Sequence, residues 1–105
     1  MRGLWVLGLA AVAIAGDTTP EELIEQGHWK RARALVEPLA RQNPSDARVQ
    51  CLLAQVKGAF GDLESALKLA EKGVALDAQS ARCRFVLAEV VGTIAARASV
   101  FRQLG

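Results

Sequence analysis

Cys51 and Cys83 are the side chains of this sequence with the widest range of chemistry. Thiols bind metals, act as nucleophiles or pair in a disulfide, and the compartment of the protein decides between these roles. Their spacing along the chain is not that of zinc ligands, and the single histidine, His28, cannot complete a set of four ligands. We favour two small, buried thiols as the interpretation, while a disulfide and a reactive or ligand role stay open.

The other residues that could do chemistry lack the partners that catalysis needs. His28 has no serine or cysteine nucleophile near it in sequence. The glycine-containing stretch 58–61 is not followed by the Lys-Ser or Lys-Thr of a phosphate-binding loop. Glu21, Glu22 and Glu25 fit the solvated first turn of a helix better than a carboxylate site. We therefore expect no enzyme activity, no cofactor and no metal.

Size and charge exclude further classes of function. The 105 residues allow one small domain, in which a deep enzymatic cleft is not expected. Thirteen basic against eleven acidic residues give a net charge of +2, too little for a nucleic-acid-binding stripe. The short basic group Lys30, Arg31 and Arg33 is expected to face water, and contact with acidic lipid or protein is the open alternative.

The N-terminus has the pattern of a secretory signal. Arg2 precedes the uncharged, mostly apolar run Gly3–Ala15, which ends in the small residues of a signal-peptidase site. As a helix this run would reach only about 20 Å, short of the roughly 30 Å hydrocarbon core of a membrane. We expect residues 1–15 to be removed after Ala15 and the protein to be periplasmic or secreted; a retained anchor and an ordinary buried helix are the alternatives.

The remaining sequence repeats itself with a period of 34 residues. Ten residues between positions 27 and 61 recur 34 positions later, which is the mark of a repeat architecture. They are Gly27, Ala32, Leu35, Glu37, Ala47, Arg48, Leu53, Ala54, Val56 and Gly58.

Each repeated unit is predicted to be a pair of helices. Apolar residues follow helical spacing over 46–60, Gly61-Asp62 interrupts them, and a second amphipathic helix covers about 63–76. The upstream copy is a short helix from Pro20 and a second helix over about 28–42, separated by Gly27. Polar joins lie near 43–46 and 77–80, and a further first helix is predicted from Ala81 to about Ala96.

The period and the positions of its small residues resemble the tetratricopeptide repeat, a helix-turn-helix unit. The residues that carry the resemblance are Gly27, Ala32, Pro44, Leu53, Ala54, Gly61, Ala66, Leu87 and Ala88. The family's usual aromatics are missing at Gln50 and Lys57, Ala78 replaces a closing proline, and Ala95 stands where a third turn glycine belongs.

The resemblance implies an all-α fold over residues 16–105, an α-solenoid of antiparallel helix pairs with about two and a half repeats. In this family the first helix of each pair lines a concave face that binds a peptide or protein. By position, that face here would be formed by Arg48, Cys51, Gln55, Lys57, Arg82, Phe85, Glu89 and Thr93.

Three hypotheses for function follow. The first is an exported scaffold module that binds another protein in a bacterial cell envelope, and the second is a spacer or dimerisation segment of a larger envelope protein or enzyme. The third is a redox-responsive module that uses the two cysteines. Val100, Phe101 and Leu104 give the C-terminus no polar cap, so we expect further repeats in a longer chain, with packing on a partner or a second copy as the rival.

Overall fold

The computed structural model describes residues 18–105 and shows an all-α arrangement in this range. The predicted signal segment, residues 1–15, lies outside the described residues. Successive helices pack as antiparallel pairs, so α1, α3 and α5 are neighbours that run in the same direction. The five helices are α1 (Pro20–Glu25), α2 (Trp29–Gln42), α3 (Ala47–Ala59), α4 (Leu63–Leu76) and α5 (Ala81–Leu104).

Four of the helices begin at a side chain that caps them. Thr19 and Glu22 form a capping box at α1, with the Glu22 N–H donating to Thr19 Oγ1 at 3.1 Å. Asp46, Asp62 and Ser80 each accept a hydrogen bond from the backbone N–H three residues further on. Local sequence therefore fixes where α1, α3, α4 and α5 start.

The two glycine turns adopt a backbone conformation that other residues rarely take. Gly27 and Gly61 have φ angles of 77° and 87°, and both end a helix so that the chain can reverse. Ala95 stands where the 34-residue period would place a third turn glycine, and the helix continues through this residue without a turn. The prediction that this helix ends near Ala96 is therefore wrong: α5 continues through 24 residues to Leu104.

The core lies in two clusters, one on each side of α3. The first joins α1, α2 and α3, and the second joins α3, α4 and α5. Where α3 meets α4 the contact is made by alanines, because small side chains let two helix backbones approach closely. The first cluster contains Leu23, Ile24, Ala32, Val36, Leu52 and Val56. The second contains Ala54, Ala66, Ala70, Val86 and Val90.

Candidate functional site

The first helices of successive pairs are joined by a ladder of polar contacts. Arg48 on α3 donates to both carboxylate oxygens of Glu21 on α1, with Nη2 to Oε1 at 2.8 Å. Arg82 on α5 donates from Nη1 to Oε1 of Gln55 on α3, also at 2.8 Å. The two contacts are equivalent under the 34-residue period, which places Glu89 where Glu21 and Gln55 stand in the earlier helices.

The Arg48–Glu21 pair is bidentate and charge-assisted, which is the strong form of this interaction. The hydrogen bonds from Arg48 hold the pKa of Glu21 below its ordinary value, against the smaller opposing effect of burial. The same hydrogen bonds raise the pKa of Arg48. Because about half of the Arg48 side chain is exposed to water, we expect the pair to stabilise the fold only modestly.

Replacing Glu21 with glutamine is expected to destabilise the protein at pH 7 by less than about 1 kcal/mol. A lowered pKa contributes stability above the ordinary pKa of the carboxyl group, and this contribution is lost as pH falls through the folded value. The difference between wild type and Glu21→Gln should therefore shrink at pH 3, which urea unfolding at both pH values measures. Glu25→Gln, on the exposed side of α1, is the matched control, and it should change the free energy of unfolding little. If the two proteins differ in free energy of unfolding as much at pH 3 as at pH 7, the pKa of Glu21 is not lowered by its contact with Arg48.

A cleft of about 240 Å³ lies beside the ladder, between α3 and α5 at the end where α2 begins. Three residues predicted to lie on the concave face, Gln55, Glu89 and Thr93, line it. Trp29, at the start of α2, forms another wall and was not predicted, since sequence reasoning assigned it no position in the repeat. The cleft is large enough for one side chain of a ligand.

Cys51 does not belong to this surface. It has no exposed area and forms a disulfide with Cys83, with the two Cα atoms 5.4 Å apart. Both cysteines are buried, as predicted, but they are paired as in the alternative that was left open and are not free thiols. The placement of Cys51 on the binding face is wrong. Cys83 occupies the place in the period of Val49, two positions before Cys51. Two residues are about half a turn of a helix, so the two cysteines lie on opposite sides of equivalent first helices and face each other between α3 and α5.

Gly73 makes room for the disulfide. A Cβ atom at this position would overlap Sγ of Cys51 and lie 2.8 Å from Sγ of Cys83. Gly73 lies inside α4, where glycine is otherwise unfavourable by up to about 1 kcal/mol relative to alanine. The second helix can cover the cross-link only because this side chain is missing.

Lys57 and Phe85, predicted to lie on the binding face, and Arg33, predicted to face water, have different surroundings. Lys57 is directed toward α2, where its Nζ lies 3.8 Å from Oε2 of Glu37, rather than toward the arginines. Phe85 is 62% exposed. Arg33, expected to face water, lies with its guanidinium carbon 4.3 Å from the ring centre of Phe60.

Glu21 is the site residue that sequence reasoning missed. Its position beside Glu22 and Glu25 predicts only the solvated first turn of a helix. The signal that identifies it is the recurrence of a carboxylate or amide oxygen at Gln55 and Glu89, one and two periods later.

Within residues 18–105, no group of histidine, cysteine, aspartate and glutamate side chains is arranged to hold a metal ion. Among the helices of that range, none is long and apolar enough to cross a membrane. Comparison of the chain with protein-family models, with curated proteins and with solved structures finds no match.

Proposed function

We propose that this protein is a non-enzymatic helical-repeat module, an α-solenoid of the tetratricopeptide type, that binds a peptide or protein segment along α1, α3 and α5. The observation that carries the proposal is the ladder of Arg48–Glu21 and Arg82–Gln55 contacts. A surface that repeats the same donors and acceptors at a fixed period suits a ligand that is itself periodic, and an extended peptide is such a ligand.

The chemistry of the ladder defines the ligand further. A guanidinium has five N–H donors, of which Arg48 uses two toward Glu21 and Arg82 uses one toward Gln55. The remaining donors can bind backbone carbonyl groups or an acidic side chain of a ligand. Glu89 and Thr93, in the cleft beside them, add acceptors for a neighbouring amide or hydroxyl group. The ligand that fits best is an extended segment with at least one carboxylate.

Replacing both arginines with glutamine should abolish most of the binding. The purified protein and its Arg48→Gln, Arg82→Gln variant are immobilised and exposed to an extract of cell-envelope proteins, and retained proteins are identified by mass spectrometry. Glutamine removes the guanidinium donors but leaves a polar side chain at two positions that are not buried, so the fold should be retained, which circular dichroism checks.

A matched control changes the same number of charges elsewhere. Arg31→Gln with Lys72→Gln alters exposed residues of α2 and α4, the second helices of their pairs. A protein retained by the wild type and by this control, but lost from the arginine variant, supports the proposal. Equal retention of the same protein by all three would show that the two arginines take no part in the binding.

We also propose that the protein is exported and works in the cell envelope. The signal-like residues 1–15 motivate this assignment, and the Cys51–Cys83 disulfide is consistent with an oxidising compartment. The intact mass of the protein used in the binding experiment tests it: a chain that begins at Gly16 and contains no free thiol is expected. A full-length chain with two free thiols would contradict export.

A further inference from the structure

Glu89 is the charged residue of the cleft beside the ladder. The other residues that line this cleft are uncharged, and most of them are apolar. None of the three ion pairs within residues 18–105 includes Glu89. Its carboxylate is therefore free to bind a positively charged group of a ligand.

The hydroxyl group of Thr93 adds a second acceptor to the cleft. Thr93 Oγ1 donates its one proton to the backbone carbonyl of Glu89 at 2.9 Å, so it can only accept from a ligand. On α3, Oε1 of Gln55 already accepts from Arg82, which leaves the Gln55 N–H groups as donors. The α5 side of the cleft thus offers two acceptors, one of them charged, to a group that carries several N–H donors.

The repeat shows which donor the position of Glu89 selects. Glu21 and Gln55 occupy the equivalent positions of α1 and α3. Each of them accepts a hydrogen bond from an arginine, Arg48 or Arg82. Glu89 is the third member of this column of acceptors, and it forms no ion pair with an arginine in the part of the chain that the structure describes. A guanidinium from a ligand would give Glu89 the same kind of partner as the two earlier acceptors.

Trp29 gives the cleft an aromatic wall. Its side chain is partly buried where it packs on the first core cluster, which holds the ring in place. A planar guanidinium stacks on such a ring, while the methylene groups of an arginine pack on apolar atoms. At about 240 Å³ the cleft is smaller than the roughly 300 to 1,000 Å³ of a small-molecule site, so a single side chain fits it better.

Other classes of side chain suit the cleft less well. An acidic side chain would be repelled by Glu89, because like charges in contact oppose binding. An apolar side chain would take the carboxylate out of water without pairing it, which costs free energy. A neutral polar side chain would form a hydrogen bond with the carboxylate but would leave its charge uncompensated. A basic side chain alone satisfies both the charge and the acceptors.

We propose that the cleft is a subsite for an arginine side chain of the ligand. This inference rests on the proposed function, because the arginine belongs to the peptide segment that lies along the ladder. Arg82 binds the carboxylate of that segment and Glu89 binds its arginine, so each ligand charge meets an opposite charge. Arg82 and Glu89 are about 10 Å apart along the axis of α5, which an extended chain covers in about three residues. The ligand therefore carries its carboxylate and its arginine within about three residues of each other.

Peptides that differ only in the charge of one side chain test this assignment. Citrulline has the shape of arginine but no charge, so each probe is a short peptide of alanine and serine with one glutamate and either arginine or citrulline. The set covers separations of one to five positions between these two residues, and binding to the full chain is measured by fluorescence anisotropy. At the best separation the arginine peptide should bind about tenfold more tightly than its citrulline counterpart.

Glu89→Gln should remove this preference. Glutamine keeps the size of the side chain and loses its charge, so the variant should bind the two peptides with nearly equal affinity. Glu89 is exposed, so the fold should be retained, which circular dichroism checks. Glu71→Gln is the matched control, because Glu71 is an exposed carboxylate of α4 outside the cleft, and this variant should keep the preference of the wild type.

The fluorescence of Trp29 reports whether the arginine enters the cleft. In a Trp5→Phe variant, Trp29 is the one tryptophan of the chain. Its emission should change when the unlabelled arginine peptide binds, since the guanidinium lies against the indole ring. An arginine peptide that binds without changing this emission would overturn the assignment.

Failure of the subsite and failure of the proposed function give different results. Equal affinity of the wild type for the arginine and citrulline peptides overturns the subsite and leaves peptide binding in place. A Glu89→Gln variant that keeps the tenfold preference overturns the subsite in the same way. If no peptide of the set binds to the wild type, peptide binding along the ladder is wrong, and the subsite is wrong with it.

Discussion

Replacing Cys51 and Cys83 together with alanine is expected to lower the free energy of unfolding by about 3 to 4 kcal/mol. The cross-link joins residues that are 32 positions apart, and a loop of this length restricts the unfolded chain by roughly that amount. Both cysteines are also fully buried, so the missing sulfur atoms leave the contact between α3, α4 and α5 less well packed. A domain of this size has only about 5 to 15 kcal/mol of stability, so the loss is a large share of the total.

Urea unfolding followed by circular dichroism measures this loss. The matched comparison is the wild type in the presence of a reductant, which should unfold at nearly the same urea concentration as the alanine variant. The reductant should have no effect on the alanine variant itself. If the wild type and the variant unfold at the same urea concentration without reductant, the disulfide contributes nothing and the prediction is wrong.

Gly73→Ala is expected to lower the free energy of unfolding when the disulfide is present and to raise it when the disulfide is absent. In the wild type the new methyl group overlaps the sulfur atoms of Cys51 and Cys83, and overpacking of this kind costs typically about 1 to 3 kcal/mol. In the chain that carries alanine at both cysteine positions the sulfur atoms are absent. There Gly73→Ala should stabilise α4 by about 0.5 to 1 kcal/mol, since alanine favours a helix more than glycine does.

Four proteins test this reversal: the wild type, Gly73→Ala, the double alanine variant and the combination of all three substitutions. Gly58→Ala is the control, because a Cβ atom at Gly58 makes only an ordinary contact with Ala66 and no contact with sulfur. It should change stability by the same amount in both backgrounds. The same sign for Gly73→Ala in both backgrounds would show that the close approach of α4 to the disulfide is wrong.

The helix pairs were predictable because their signals are local. Asp46, Asp62 and Ser80 cap the helices that follow them, and Gly27 and Gly61 supply the backbone conformation of the turns. The expected second helices over about 28–42 and 63–76 are observed as Trp29–Gln42 and Leu63–Leu76. Where such a signal is missing, the boundary was missed: nothing after Ala95 stops a helix, and α5 continues to Leu104.

The site was less predictable because its contacts join different helices. The Arg48–Glu21 and Arg82–Gln55 pairs each join residues 27 positions apart, and no local pattern marks such a distance. The period could have identified them, since it aligns Glu21 with Gln55 and Glu89. Gly73 had no such signal, because its counterpart one period earlier is Leu39. The repeat therefore does not predict a glycine at this position, and the disulfide explains it.

The bond between Cys51 and Cys83 also changes the covalent shape of the molecule. Residues 51–83 form a closed ring that contains all of α4, with the rest of the chain attached as two tails. A single cut in the ring, for example at the exposed Ala78 between α4 and α5, therefore leaves both products joined. A protease would have to cut twice within the ring, or once in a tail, to release any piece of this protein.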